Sequence, residues 1–464
     1  MSAVARLVES FAGERRPLRV LGASGQLGYG IPAASFEAGL ARGPDMIGCD
    51  MGSIDIGPAY LGSGRLATTE QATKRDLRRV LQAARRLDVP LVIGSAGSAG
   101  GAPHLAATLD LVRAIAREDG LHFKLASIRA DLSPDVVKAA VRAGRVHALD
   151  GMAPLDEDEV DRTANLVGQM GVEAFRRALE AGADVVIAGR ACDTGIFAAL
   201  PAILGFPMGL AMHMAKIVEC ASLCCLPGGR DPILATLDDE GFDLESMAQA
   251  RRATPVSVAA HSLYEQSDPY EVLEPDGILD LREARYVALD ERRTRVSGAV
   301  WRDAKALTIK MEGARLLGHR ALLLAGSADP RFIAQHERIL EDVKEVVRGL
   351  VCENAEQDYQ LFFRAYGVNG VHDWPNKPDP LPREIFVLGE CIADTPDRAA
   401  AVTQTTKQYL LHHGYEGRLS TGGNLAFPVT PPEVAAGPAY AFNVFHLMEV
   451  DGFADLFPVQ LEDL

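Results

Sequence analysis

Apolar and polar positions alternate in blocks through the N-terminal half of the chain. Four short apolar runs each pass into a glycine-rich polar turn: Leu18 to Gly30, Met46 to Gly64, Leu91 to Gly101 and Val185 to Gly195. Between them apolar residues recur at helical spacing. In Thr69 to Leu87, Leu77, Val80, Leu81, Ala84 and Leu87 share one side, and Lys74, Arg75, Arg78, Arg79, Arg85 and Arg86 surround the rest, which predicts an amphipathic crossover helix. Ile31-Pro32 introduces a helix over about 30–42, and further helices are predicted from His104 to Glu118, Ser133 to Ala143 and Val172 to Ala181, with a strand over Phe123 to Ile128. This β/α alternation implies a mostly parallel open sheet with helices on both faces.

After about residue 240 the texture changes. Val256–Ala260, Ala284–Leu289, Arg295–Val300 and Thr308–Met311 read as strands, with a turn at Pro275-Asp276-Gly277. Helices are predicted from Pro330 to Arg348 and Pro396 to His412, and strands near Ile385–Cys391 and Ala441–Val450. The expected organisation is therefore a glycine-loop α/β domain over 1–240 carrying a pocket, and an α+β domain over 241–464 contributing a lid or pocket wall.

Charge narrows the partners. The 464 residues carry 47 basic and 63 acidic side chains, net −16, which opposes binding to a nucleic-acid backbone. A local arginine can still hold a small anion. No apolar stretch reaches the roughly 20 residues needed to span a bilayer. Met1 to Pro17 has no sustained apolar core, and the chain reads as cytoplasmic. Seven cysteines without regular spacing read as reduced thiols; Cys220, Cys224 and Cys225 lack a second CxxC pair, so they are expected to be packed residues on a helix running to Cys225 rather than zinc ligands.

In an open parallel α/β sheet, ligands bind outside the carboxyl ends of the strands. The candidate chemistry is therefore sought in the glycine-rich turns. Asp50, Ser53 and Asp55 offer two carboxylates and a hydroxyl, suited to general acid/base work or to a divalent cation, though Asp and Ser also cap turns. Ser95, Gly97 and Ser98 lie in the Gly94–Gly101 turn, a candidate cradle for a carboxylate or phosphate. It lacks the lysine of a Walker loop and the spacing of a dinucleotide fingerprint. Arg190 can hold a substrate carboxylate or pair with Asp50 or Asp193, and Cys192 reads as a packed thiol before a nucleophile. His213, Lys216 and Glu219 share one helix face, where Lys216 and Glu219 can simply pair. Glu265 and Tyr270 belong to a polar, aromatic loop over 261–270 that suits a lid.

Taken together these stretches resemble the acyclic terpene utilization AtuA family. The likeness rests on Gly48-Cys49-Asp50-Met51-Gly52-Ser53-Ile54-Asp55, Gly94-Ser95-Ala96-Gly97, Ala188-Gly189-Arg190-Ala191-Cys192-Asp193-Thr194, the His213 to Gly229 segment with Glu219-Cys220, and Gln266-Ser267-Asp268-Pro269-Tyr270. The resemblance implies catabolism of branched carboxylic acids or their thioesters and carries over no catalytic residue.

The leading expectation is an enzyme acting on a small carboxylate or acyl-CoA by hydration, dehydration or isomerisation next to a carbonyl. Asp50, Asp55 or Asp193 would move the proton, and Ser53, Ser95, Gly97, Ser98, Arg190, Glu265 and Tyr270 would bind substrate. CoA enters only as part of that substrate. Two alternatives stand beside it: a metal-dependent lyase or hydrolase holding a divalent cation on Asp50, Asp55 and Asp193 or Glu265, and a non-catalytic acyl-CoA- or partner-binding subunit. A homo-oligomer is expected on general grounds.

Overall fold

The structure is a computed structural model describing residues 2–266, 268–351, 359–376, 378–419 and 424–464. Its largest sheet has ten strands: β1 (Leu18–Ser24), β2 (Met46–Asp50), β3 (Leu91–Gly94), β4 (Lys124–Ile128), β5 (Val185–Ala188), β6 (Ile233–Leu237), β7 (Gly241–Ser246), β8 (Arg285–Ala288), β9 (Arg293–Ser297) and β10 (Val459–Asp463). Their spatial order is β8-β9-β7-β6-β1-β2-β3-β5-β4-β10. The five strands from β1 to β4 in that order run parallel, and antiparallel strands extend both sides.

Side chains alternate across the sheet, so successive residues feed two cores. Val20, Met46, Val92, Ala126 and Val186 pack on one side with the helices Val172–Glu180, Asp193–Ile203 and Met208–Val218. Leu21, Ile47, Ile93, Leu125 and Ile187 pack on the other with Ala33–Leu40, Glu70–Leu87 and Ala102–Asp119. The expected α/β core with helices on both faces is present. The Glu70–Leu87 helix starts where its sequence says, since the hydroxyl of Thr69 accepts from the Ala72 amide.

By internal contacts the chain forms two compact units, residues 1–315 with 442–464, and residues 316–441. The second unit is α+β. Tyr359–Tyr366, Ile385–Ala393 and residues 319–327 of the strand Leu307–Ser327 pair antiparallel. The helices Pro330–Val351 and Pro396–His412 cover a core of Leu323, Phe332, Ile339, Val387 and Val402. The division lies later than the residue-240 boundary expected from texture, because β6, β7, β8 and β9 extend the parallel sheet rather than starting a new one.

Two local expectations are corrected. Val256–Ala260 is not a strand but part of the helix Pro255–Ser262, begun by a reciprocal Thr254–Ser257 cap with proline in the first turn. The helix through His213 ends at Val218, and Ala221–Cys224 forms a separate tight turn. Ala221 there adopts φ +52°, which bends the chain back toward the ends of the parallel strands.

Candidate functional site

At the carboxyl ends of the parallel strands the first unit opens into a cleft. Three carboxyl groups reach it from separate turns. Asp50 is the last residue of β2, Asp193 is the first residue of the helix after β5, and Glu219 follows the helix Met208–Val218. Asp50 is only 5% exposed. Its Oδ2 accepts the Gly52 amide at 2.8 Å, and its Oδ1 has no hydrogen-bond partner among the described residues. Asp193 Oδ1 is likewise unpartnered.

Burial pushes the Asp50 carboxyl up, and the neighbouring Asp193 pushes it further, against the pull of Arg190. Asp193 is raised by burial first and then by the neighbouring Glu219, against the pull of Arg190. Burial raises Glu219 as well, but it accepts from the Lys216 ammonium at 2.7 Å, which favours its charged form and holds the Asp193 carboxyl up beside it. Burial disfavours the Lys216 charge and Glu219 overcomes this, leaving Lys216 firmly protonated. The arrangement is thus a buried acid whose proton is held up by an anionic neighbour, beside a second raised acid with one oxygen unclaimed. Such a pair can give a proton at one point and take one at another.

Behind these acids lies Arg190, buried and spoken for. Its Nε donates to Glu312 Oε2 at 2.7 Å, and its Nη1 donates to the Ser95 hydroxyl at 3.3 Å. Glu312 also accepts from the Gln169 amide at 2.8 Å. Burial opposes the Arg190 charge, and Glu312, Asp193 and Asp50 together outweigh it.

The model of the acyclic terpene utilisation family protein AtuA matches residues 18–229 and 246–432, including every turn that supplies an acid. The chain belongs to the acyclic terpene utilisation family. That membership carries a role in acyclic terpene utilisation. No curated protein and no solved structure matches it.

In this AtuA-family protein the residues singled out in the sequence separate into two groups. Asp50, Ser53, Asp55, Asp193 and Glu265 line the cleft, with Asp55 and Glu265 at exposed positions; Ser53 donates to Asp55 at 2.6 Å. Ser95, Gly97, Ser98, Arg190 and Tyr270 do not line it. The expected anion cradle is closed: the amides of Ser95 and Ala96 bind the Gly189 and Ala188 carbonyls, the Ser98 amide binds the Ser95 carbonyl, and the Ser98 hydroxyl binds the Ser53 carbonyl. The turn is sealed at Gly100, whose φ is +68° and where a Cβ would lie 2.1 Å from the Arg190 nitrogen. Arg190 pairs with neither Asp50 nor Asp193 as its partner but with Glu312. Tyr270 is exposed and bonds through its backbone to Asp268 and Leu281. Ser267, in the same motif, lies outside the described residues.

Other groups resolve as structural. His213 is held by the Ser262 hydroxyl at 3.0 Å and is pushed down to about 3 by burial, so it stays neutral. Burial pushes the Cys192 thiol up, away from nucleophilic use. The six described cysteines are unpaired. Among the described residues no three His, Cys, Asp or Glu side chains are grouped to hold a metal ion, and no helix is long and apolar enough to cross a membrane. Among the lining residues not expected in the site are Glu219, Arg230, Gln26 and Tyr264. Glu219 shows itself only through its i, i+3 spacing to Lys216, and Arg230 has no local signature.

Proposed function

We propose that this AtuA-family chain is a catabolic enzyme that acts on a small branched carboxylate or its thioester by proton chemistry next to a carbonyl: hydration, dehydration or isomerisation. The observation that carries the reading is the unclaimed Asp50 oxygen beside the buried carboxyl groups of Asp193 and Glu219 in one cleft. Asp50 takes the proton from the carbon next to the carbonyl, or from an attacking water. Asp193, kept neutral by burial and Glu219, donates a hydrogen bond to the carbonyl oxygen where charge develops. Arg190 does not meet the substrate in this scheme. It lies behind Asp50 and Asp193, limits how far their pKa values rise, and so keeps one of the two available as a base.

The test follows exchange of substrate hydrogen for deuterium by NMR, with 3-methylbut-2-enoate and its thioester as probes. Asp50→Asn and Asp193→Asn are expected to lower exchange by about 100-fold or more. Thermal melting should stay near wild type, because neither change empties volume. Full exchange in both variants sinks the proposal.

A further inference from the structure

The cleft holds five acidic side chains, Asp50, Asp55, Asp193, Glu219 and Glu265, and among its described lining residues a single cation, Arg230. Most arginines around it are paired, whereas Arg230 has no hydrogen bond or ion pair among the described residues. Its guanidinium carbon lies 5.3 Å from the centre of the Tyr29 ring. That ring and the nearby lining residues Leu223 and Tyr264 are substantially exposed, at 41%, 49% and 42%, so the cation is set in an apolar rim.

The backbone around Arg230 is fixed on both sides. Gly229 donates to the Ser222 carbonyl at 3.1 Å, and the Ser222 amide donates to the Asp231 carbonyl at 2.9 Å. Arg251 closes the loop, with Nε on Asp231 at 2.5 Å and Nη1 on the carbonyls of Pro227 and Gly228 at 2.8 and 2.7 Å. Its guanidinium crosses Gly229 so closely that a Cβ there would sit 2.0 Å from the Arg251 carbon. Asp231 is held further by the Ser35 hydroxyl at 2.7 Å. The loop thus occupies its own acid, Asp231, with Arg251 and leaves Arg230 unclaimed at the cleft. The guanidinium, exposed at the mouth of the cleft beside the Tyr29 ring and carried on a fixed backbone, is free to take a planar oxyanion.

We propose that Arg230 is the anchor for a free carboxylate, so that the cleft takes a small, methyl-branched acid with one negative charge. The carboxylate sits with one oxygen against Arg230 and the other toward Asp193, its neighbouring carbon faces Asp50, and the branched chain lies along Leu223 and Tyr264. A CoA thioester fits this lining worse, because its several phosphate charges would meet five acids with one cation to answer them. The assignment rests on the proton-transfer reading of the same cleft and narrows its substrate class.

The experiment is isothermal titration of the full chain with 3-methylbut-2-enoate and longer methyl-branched monocarboxylates, with their CoA thioesters, and with free CoA. Wild type is expected to bind the acids more tightly than the thioesters. Arg230→Gln should weaken acid binding about ten- to hundred-fold at an unchanged melting temperature, and Arg230→Lys should restore part of it. Acid binding that ignores Arg230→Gln, thioesters or CoA bound more tightly than the acids, or no acid bound at all overturns the assignment. Asp50→Asn separates the two readings. It should keep or improve acid binding while losing deuterium exchange; exchange retained there sinks the proton-transfer reading and leaves the Arg230 binding result standing.

Discussion

The glycine-rich turns after β2 and after β3 look alike in sequence and do opposite things. Both leave a parallel strand through glycines, serines and small residues, and both lie at the carboxyl ends of the strands, where α/β proteins bind ligands. The turn after β2 ends its strand on a carboxyl group with one oxygen unclaimed and opens into the cleft. The turn after β3 is buried throughout 94–101, its amides of Ser95 and Ala96 given to the turn after β5, with the Gly100 carbonyl accepting from the Arg190 amide at 3.0 Å. Glycine there lets one backbone approach another, not a ligand. A missing Cβ marks close approach, and only the fold says of what.

The sharpest way to break this contrast is at Glu312, the anion that neutralises Arg190. Glu312→Ala leaves a buried guanidinium without its partner and is expected to cost about 3–5 kcal/mol in urea unfolding. A loss comparable to a surface substitution would mean that Arg190 turns into the cleft, and the two turns would no longer differ. Next comes Gly100→Ala, which combines a left-handed backbone with a clash against Arg190; about 2–4 kcal/mol of stability should be lost. The Asp50→Asn change proposed above should do the reverse, sparing stability and removing turnover.

The smallest effect concerns pH. Glu219 raises the Asp193 carboxyl, so Glu219→Gln removes a negative neighbour and lowers it. If Asp193 must be protonated to work, activity falls as pH rises through its pKa, and that alkaline limb should move to lower pH in Glu219→Gln. A kcat/KM profile showing no movement, or movement upward, would place the working proton elsewhere.

Much of the core was legible because its rules are local. A run such as Leu91 to Ile93, set between turn signals in a β/α alternation, reads as a strand buried on both faces, and the one-sided stripe of Leu77, Val80, Leu81 and Ala84 reads as a covering helix. What escaped depends on distant pairing. The antiparallel extension of the sheet past residue 240 is set by β6 pairing with β1, across more than 200 residues of chain. Val256–Ala260 was misread because its apolar content outweighed the Thr254–Ser257 cap. In the site, Asp50 and Asp193 were visible as acids in strand-end turns. The partner of Arg190 was not, since Glu312 lies 122 positions away, on a strand with no motif of its own.

One contact outside the acids has its own consequence. Thr194, next to Asp193, donates its hydroxyl to Glu274 at 2.8 Å, and Ser262 is held by His213 at 3.0 Å. Between those two fastenings runs the segment that brings Tyr264 and Glu265 to the cleft. The front of the cleft is therefore a handle with both roots fixed, built apart from the strand ends that carry the acids. Under the proposed proton transfer, the length and shape of the substrate chain can be retuned by exchanging residues along the handle while Asp50 and Asp193 keep their geometry. Under that proposal, substrate range and chemistry are separable properties of this architecture.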